Sequence, residues 1–114
     1  MAIDRCFSVT GAGTVATGTL LSGSIALGNR LCLSPRGDEL RVRGLQSAGE
    51  TVDQVRAGQR CAVNLAGIDA KAVHRGDWLV DPALHHPTTR IEARVRVLAG
   101  RDAPLRHGAP LHMH

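Results

Sequence analysis

FSVTGAGTVATGTLLSGSIALGNRL, residues 7–31, is the stretch on which the fold of this 114-residue chain turns. Its glycines at 11, 13, 18, 23 and 28 are separated by β-branched and aliphatic residues. Two readings compete. Gly11-x-Gly13-x-x-Ala16 after an apolar run has the outline of a dinucleotide-binding loop. Such a loop needs a helix directly after its glycines, so that the pyrophosphate meets the helix N-terminus. Thr14-Val15-Ala16-Thr17-Gly18-Thr19 follows instead, and β-branched residues with a glycine among them are poor helix material. No βαβ pattern surrounds the loop, and no Gly-Lys-Ser/Thr follows it as a P-loop requires. A small β-barrel accounts for more. Gly11 and Gly13 suit a tight turn or bulge, Gly18 a bend inside a strand at a barrel corner, and Gly23 and Gly28 the ends of strands.

The rest of the chain keeps this grammar. Short runs of Val, Ile, Leu and Thr are cut by Gly, Pro, Asn and Asp, as in barrels and sandwiches. The runs predict strands near Cys6–Thr10, Thr14–Leu21, Arg30–Ser34, Glu39–Ser47, Arg60–Ala66 and Trp78–Val80. Ser34–Asp38 reads as a hairpin turn, with further turns at Leu27–Asn29 and Ala57-Gly58. Asp69–Val73 is the one helical signal, a turn or two with Asp69 as N-cap and His74–Gly76 closing it. Asp81–Pro87 reads as a linker, because its prolines cannot join a central ladder. Beyond it, Arg90–Leu98 alternates cleanly, with Ile91, Ala93, Val95 and Val97 on one face and charges on the other. One strand and a tail cannot form a core. The expected organisation is therefore an all-β chain: a closed barrel over 1–83, then a linker and the first strand of a second, truncated β domain over 84–114. The chain is expected to be a piece of a longer protein.

Composition narrows the function. Phe7 and Trp78 are the only aromatics, so the core must be aliphatic, and a base-stacking platform for single strands is disfavoured. The formal net charge is +4, carried almost wholly by arginine, with Lys71 the only lysine. Arginine grips phosphate or carboxylate bidentately, so an RNA partner is compatible, as is a solvated surface. Cys6, Cys32 and Cys61 are odd in number, form no C-x-x-C and sit in apolar runs, which predicts buried free thiols. His85-His86 and His112-x-His114 lack the rest of a ligand set, so no metal is expected. No acid–base or nucleophile arrangement is apparent, and no catalytic residue is assigned. No apolar run reaches membrane-span length and no signal segment opens the chain, which places the expected site of action in the cytoplasm, away from membranes.

Gly11-x-Gly13-Thr14-Val15-x-Thr17-Gly18, followed by the spaced Leu20, Gly23, Ile25, Gly28-Asn29 and Leu31, resembles domain II of translational GTPases of the elongation factor Tu type. Ala57–Gly67 and Arg75–Leu79 fit the same domain in the same order, so the resemblance covers most of residues 3–81. Within that superfamily the chain is most similar to the selenocysteine-specific elongation factors (SelB). The distinguishing pieces are Ile3–Val9, Arg41–Gln46, Gly58-Gln59-Arg60 with Asn64–Gly67, and Pro104-Leu105 followed by Pro110–His114.

The resemblance implies a barrel that binds the aminoacyl end of selenocysteinyl-tRNA for UGA-directed incorporation. Asp4, Arg5 and Arg60 match the positions that surround the selenocysteinyl group, and Val9, Gly11, Val15, Gln46 and Asn64 those of a terminal-adenosine pocket. Gln46 and Asn64 depart from the elongation factor Tu pattern, which has a Glu and an apolar residue there. GTP and Mg are expected in a G domain of the parent protein and not here, so this chain is not expected to be an enzyme. Ribosome and mRNA-hairpin contacts belong to other parts of that parent. The residues alone leave plainer readings open. An Asp-Arg pair at a strand start is usually a surface ion pair, Arg60 after a turn is usually solvated, and Val9 and Val15 also suit a barrel core. Domain II of another elongation or initiation GTPase, a dinucleotide-binding enzyme domain and a ligand-free β module are the alternatives.

Overall fold

The computed structural model describes residues 1–97 and 105–112. Among these residues nine strands form: β1 Ala2–Val9, β2 Gly13–Thr19, β3 Ser24–Ala26, β4 Arg30–Ser34, β5 Asp38–Ser47, β6 Glu50–Thr51, β7 Gln54–Arg56, β8 Arg60–Ala66 and β9 Trp78–Val80. Six of them run in the order β4-β9-β1-β2-β8-β5, and pairing of β4 with β5 closes the ring into a barrel. Every pairing is antiparallel. β6 adds to the far end of β5, while β3 and β7 form a separate two-stranded sheet. The glycine pair at 11 and 13 therefore leads into strand β2 and not into a helix. That removes the helix N-terminus on which a dinucleotide site depends.

The barrel is filled by aliphatic side chains, as the shortage of aromatics requires. Leu33, Leu45, Leu79, Val42, Val55 and Val63 are the largest fully buried residues. Each contributes about 1.5–3 kcal/mol of transfer free energy. Ile25 of β3 and Val55 of β7 belong to this same core, so the small sheet is packed onto the barrel. β8 shows the division of labour most plainly. Cys61, Val63 and Leu65 are buried, while Arg60, Ala62, Asn64 and Ala66 lie on the outer face. In β2, Thr14, Ala16 and Gly18 are buried and Val15, Thr17 and Thr19 alternate with them. Buried Thr14 is satisfied by donating to the Ile68 carbonyl at 2.7 Å.

Strand β1 breaks that alternation. It begins four residues earlier than its apolar run predicts, because its register against β2 slips between Ile3, opposite Gly18, and Arg5, opposite Thr17. Asp4 is the extra residue of a β-bulge. A bulge places two successive side chains on the same side of a strand and sharpens its twist. Gly18 is what lets β1 come close enough. A Cβ at position 18 would stand 1.9 Å from the Ala2 carbonyl oxygen and 3.3 Å from the Ile3 Cα. The glycine inside this strand is required by the close approach of the neighbouring backbone.

Other segments refine the reading. Residues 69–73 make a single 3-10 turn, Ala70–Ala72, capped by Asp69, whose carboxylate accepts from the Lys71 amide at 2.8 Å. The proline-bracketed segment carries a second such turn, Pro82–Leu84, capped by Asp81. Residues 90–97 differ from expectation: despite their alternation they enter no sheet ladder. A strand is stable only against a partner strand, and Ile91, Val95 and Val97 are exposed along the segment. Leu98, Pro104, Met113 and His114, on which parts of the second-domain reading rest, lie outside the described residues. Among the described residues, no helix is long and apolar enough to cross a membrane.

Two substitutions test this account of the backbone. Gly18→Ala forces β1 away from β2 and lowers stability by about 2–3 kcal/mol, read from the denaturant midpoint. Ala48 and Gly49 join β5 to β6 with φ of 53° and 84°, the two-residue hairpin that favours Asn-Gly. Ala48→Asn therefore raises stability by about 0.5–1 kcal/mol, since Asn tolerates the left-handed conformation better.

Candidate functional site

The outer faces of β1, β2, β8 and β5 bring polar, charged and apolar side chains into register. One row runs Arg5, Thr17, Ala62, Gln46; the next runs Phe7, Val15, Asn64, Gly44. Neighbouring strands stand about 4.8 Å apart, so each row spans roughly 15 Å of surface. Arg60 opens β8 opposite Thr19, one outward position beyond Ala62. The bulge at Asp4 sends Asp4 and Arg5 to this face together, and it keeps Phe7 and Val9 there as well.

Asp4, Arg5 and Arg60 gather in one shallow depression of about 500 Å³, with Phe7, Thr17 and Arg75 completing its wall. Asp4 is held at both oxygens. Its Oδ1 accepts from the Thr17 hydroxyl at 2.8 Å, and its Oδ2 pairs with the Arg60 guanidinium at 2.6 Å. The Thr17 hydrogen bond, then the Arg60 hydrogen bond and the charges of Arg60 and Arg5, hold the Asp4 carboxyl below its ordinary value. Arg60 stays 66% exposed at its side chain, so this pair contributes little to stability and leaves other guanidinium N–H groups free for a ligand. Arg5 and Arg75 make no ion pair among the described residues. One carboxylate against three guanidinium groups leaves the depression with an excess of positive charge, suited to an anion.

A second cleft, of about 270 Å³, adjoins the first. It gathers Val9, Val15, Gln46 and Asn64, four of the five residues singled out for an adenosine pocket. Gly11 does not line it; the turn residue Ala12 does. Gly44 lines it too, and a Cβ there would stand 3.6 Å from the Asn64 Cβ. Phe7 lines both cavities and is the partition between them. A planar group with apolar faces fits against Phe7, Val9 and Val15, with the Gln46 and Asn64 amides as donors and acceptors.

Sequence reasoning missed Phe7, Thr17 and Arg75. Phe7 and Thr17 were legible in principle, since Phe7 lies two positions from Arg5 and Val9, and Thr17 two from Val15, all already candidate site residues. Arg75 had no such signal, because it enters from the loop before β9. The cysteines play no part here. Cys32 and Cys61 are buried, Cys6 is half-buried, all three are free, and burial pushes each thiol up from its ordinary value. Among the described residues, no three His, Cys, Asp or Glu side chains converge as a metal site would require.

A family model for elongation factor Tu domain 2 matches residues 13–80. The chain is 38% identical over 112 residues to a selenocysteine-specific elongation factor of Desulfomicrobium baculatum, covering 98% of this chain and 18% of that protein. It is 39% identical over 115 residues to the selenocysteine-specific elongation factor of Escherichia coli, again covering 18% of the relative. Among solved structures, it resembles translation elongation factor SelB of Methanococcus maripaludis in its apo form. That match has a TM-score of 0.68 and 37% identity, over 71% of this chain and 17% of that one. The chain thus spans less than a fifth of the length of these relatives.

The sign of the Asp4 shift gives a test of the pairing. A carboxyl held below its unfolded value contributes stability that is fully present above the unfolded value and is lost as pH falls through the folded one. The stability difference between the native chain and Asp4→Asn is therefore flat at neutral pH. It shrinks on acidification below the ordinary carboxylate range, read by denaturant titrations at successive pH values.

Proposed function

The chain belongs to the elongation factor Tu domain 2 family, and from that premise we propose that it is the aminoacyl-end-binding barrel of a selenocysteine-specific elongation factor. The observation that carries the reading is the convergence of Asp4, Arg5 and Arg60 in one depression beside the Val9–Val15–Gln46–Asn64 cleft. Its relatives are translation elongation factors, several of them named as selenocysteine-specific. In this reading the terminal adenosine of the tRNA lies in the cleft and the esterified residue passes Phe7 into the depression.

The chemistry suits a selenol. A selenol is more acidic than a thiol and is largely ionised at neutral pH. Fixed guanidinium charges with directional donors at Arg5 and Arg60 favour that selenolate through charge-assisted hydrogen bonds. A seryl hydroxyl carries no charge, gains less from the same donors and leaves the arginines imperfectly paired. Discrimination is then a difference between two affinities, with the poor match to serine as its repulsive part. Gln46 and Asn64 supply hydrogen bonds to the ribose or base, where the elongation factor Tu pattern has an acid and an apolar residue.

The reading extends to the parent factor. GTP with Mg is assigned to a separate G domain, and nothing in this chain fits a phosphate loop, because Gly11 and Gly13 lead into a strand. Contacts with the ribosome and with the selenocysteine-insertion hairpin of the mRNA are assigned to the parent, which works in the cytoplasm where translation proceeds.

The test uses the full-length factor. Arg5→Ala or Arg60→Ala lowers the ratio of affinities for selenocysteinyl- over seryl-tRNA by about tenfold, the worth of one charge-assisted hydrogen bond of about 1.5 kcal/mol. Binding of the seryl form changes little. An unchanged ratio in both variants contradicts the assignment of the depression.

A further inference from the structure

We propose that Thr17 is a positioning residue: its hydroxyl fixes the Asp4 carboxylate in the orientation that draws Arg60 across β2 and holds it over the depression. The strand order makes this a bridge. Asp4 lies on β1 and Arg60 on β8, with β2 between them, so the ion pair must pass over the outer face of β2. Thr17 is a β2 residue on that face, and its hydroxyl donates upward to Asp4 Oδ1 at 2.8 Å while Oδ2 takes Arg60.

Asp4 is thereby engaged within the chain through both oxygens, and its work is to aim a guanidinium. The groups that share the depression with it are Arg5 on its own strand, Thr17 on β2, Arg60 on β8 and Arg75 from the loop before β9. Of the guanidinium groups, Arg60 and Arg5 are the two whose charges act on that carboxylate, so they compete for it. The Thr17 hydroxyl breaks the tie, because it pins one oxygen on the β2 side and turns the other toward β8. Without it the carboxylate is free to turn to Arg5, and an Arg60 side chain as exposed as this one regains its rotamers.

The consequence for the ligand rests on the selenocysteinyl reading; the bridge itself does not. A guanidinium held in place discriminates charge better than a mobile one, because its cost of ordering is met before the ligand arrives. Thr17 therefore contributes to selectivity without touching the ligand.

Two measurements on Thr17→Val and Thr17→Ser test this. In the chain itself, the Asp4 carboxyl is titrated by NMR. Thr17→Val is expected to move it up toward the ordinary carboxylate value, and Thr17→Ser, which keeps the hydroxyl, to leave it depressed. An Asp4 that titrates in Thr17→Val as in the native chain overturns the proposal. In the full-length factor, the selenocysteinyl-over-seryl affinity ratio falls several-fold in Thr17→Val and is restored in Thr17→Ser. A fallen ratio with an unmoved Asp4 titration means the hydroxyl meets the ligand directly, and also overturns the positioning role. If Asp4 titrates as expected but the native factor does not discriminate the two esters, the bridge stands and the functional reading of the depression fails.

Discussion

The close approach of β1 to Gly18 is the constraint on which the rest of this structure depends. A side chain at position 18 would collide with the Ala2 carbonyl, so only glycine allows β1 to seat against β2 at this corner. The approach is accommodated by a bulge, and the bulge inserts Asp4. Without the bulge, strict alternation from buried Ile3 through Asp4 would send Arg5 into an aliphatic core. With it, Ile3 stays inside and Asp4, Arg5, Phe7 and Val9 reach the outer face. A steric requirement of the backbone thus bears on both the seating of β1 in the barrel and the side chains its outer face presents.

The same strands serve two masters, and their period of two keeps them apart. The inward residues of β2, β5 and β8 form the core, and the outward residues form the cleft and the depression. Substitutions at Arg5, Arg60, Gln46 or Asn64 therefore change the outer face with little effect on packing. The ion pair in the depression is too exposed to matter much for stability. Its effect is geometric: it engages one guanidinium of the depression, while Arg5 and Arg75 make no ion pair among the described residues.

Most of the barrel was legible in the sequence because its strands are long enough for alternation to be read. β3, β6 and β7 were not, since two or three residues carry no period. Asp69 was recognisable as a cap, although the chain after it makes only a single 3-10 turn. Residues 90–97 teach the converse. They alternate more cleanly than any barrel strand, yet alternation describes a face and not the partner that covers it. At the site, the family motif brought Asp4, Arg5 and Arg60 to notice, and the structure places them together. It could not give the Thr17 hydrogen bond or the entry of Arg75, because these depend on a register slip and on a loop path that no local pattern encodes.

The most direct measurement of the central claim is NMR shift mapping of the chain with adenosine carrying selenocysteine, or serine, through a stable 3′-amide. The account predicts that both compounds move Val15 and Asn64 in the cleft, while the selenocysteinyl compound alone moves the side-chain resonances of Arg5 and Arg60. Equal shifts at the arginines with both compounds, or none with either, would contradict it.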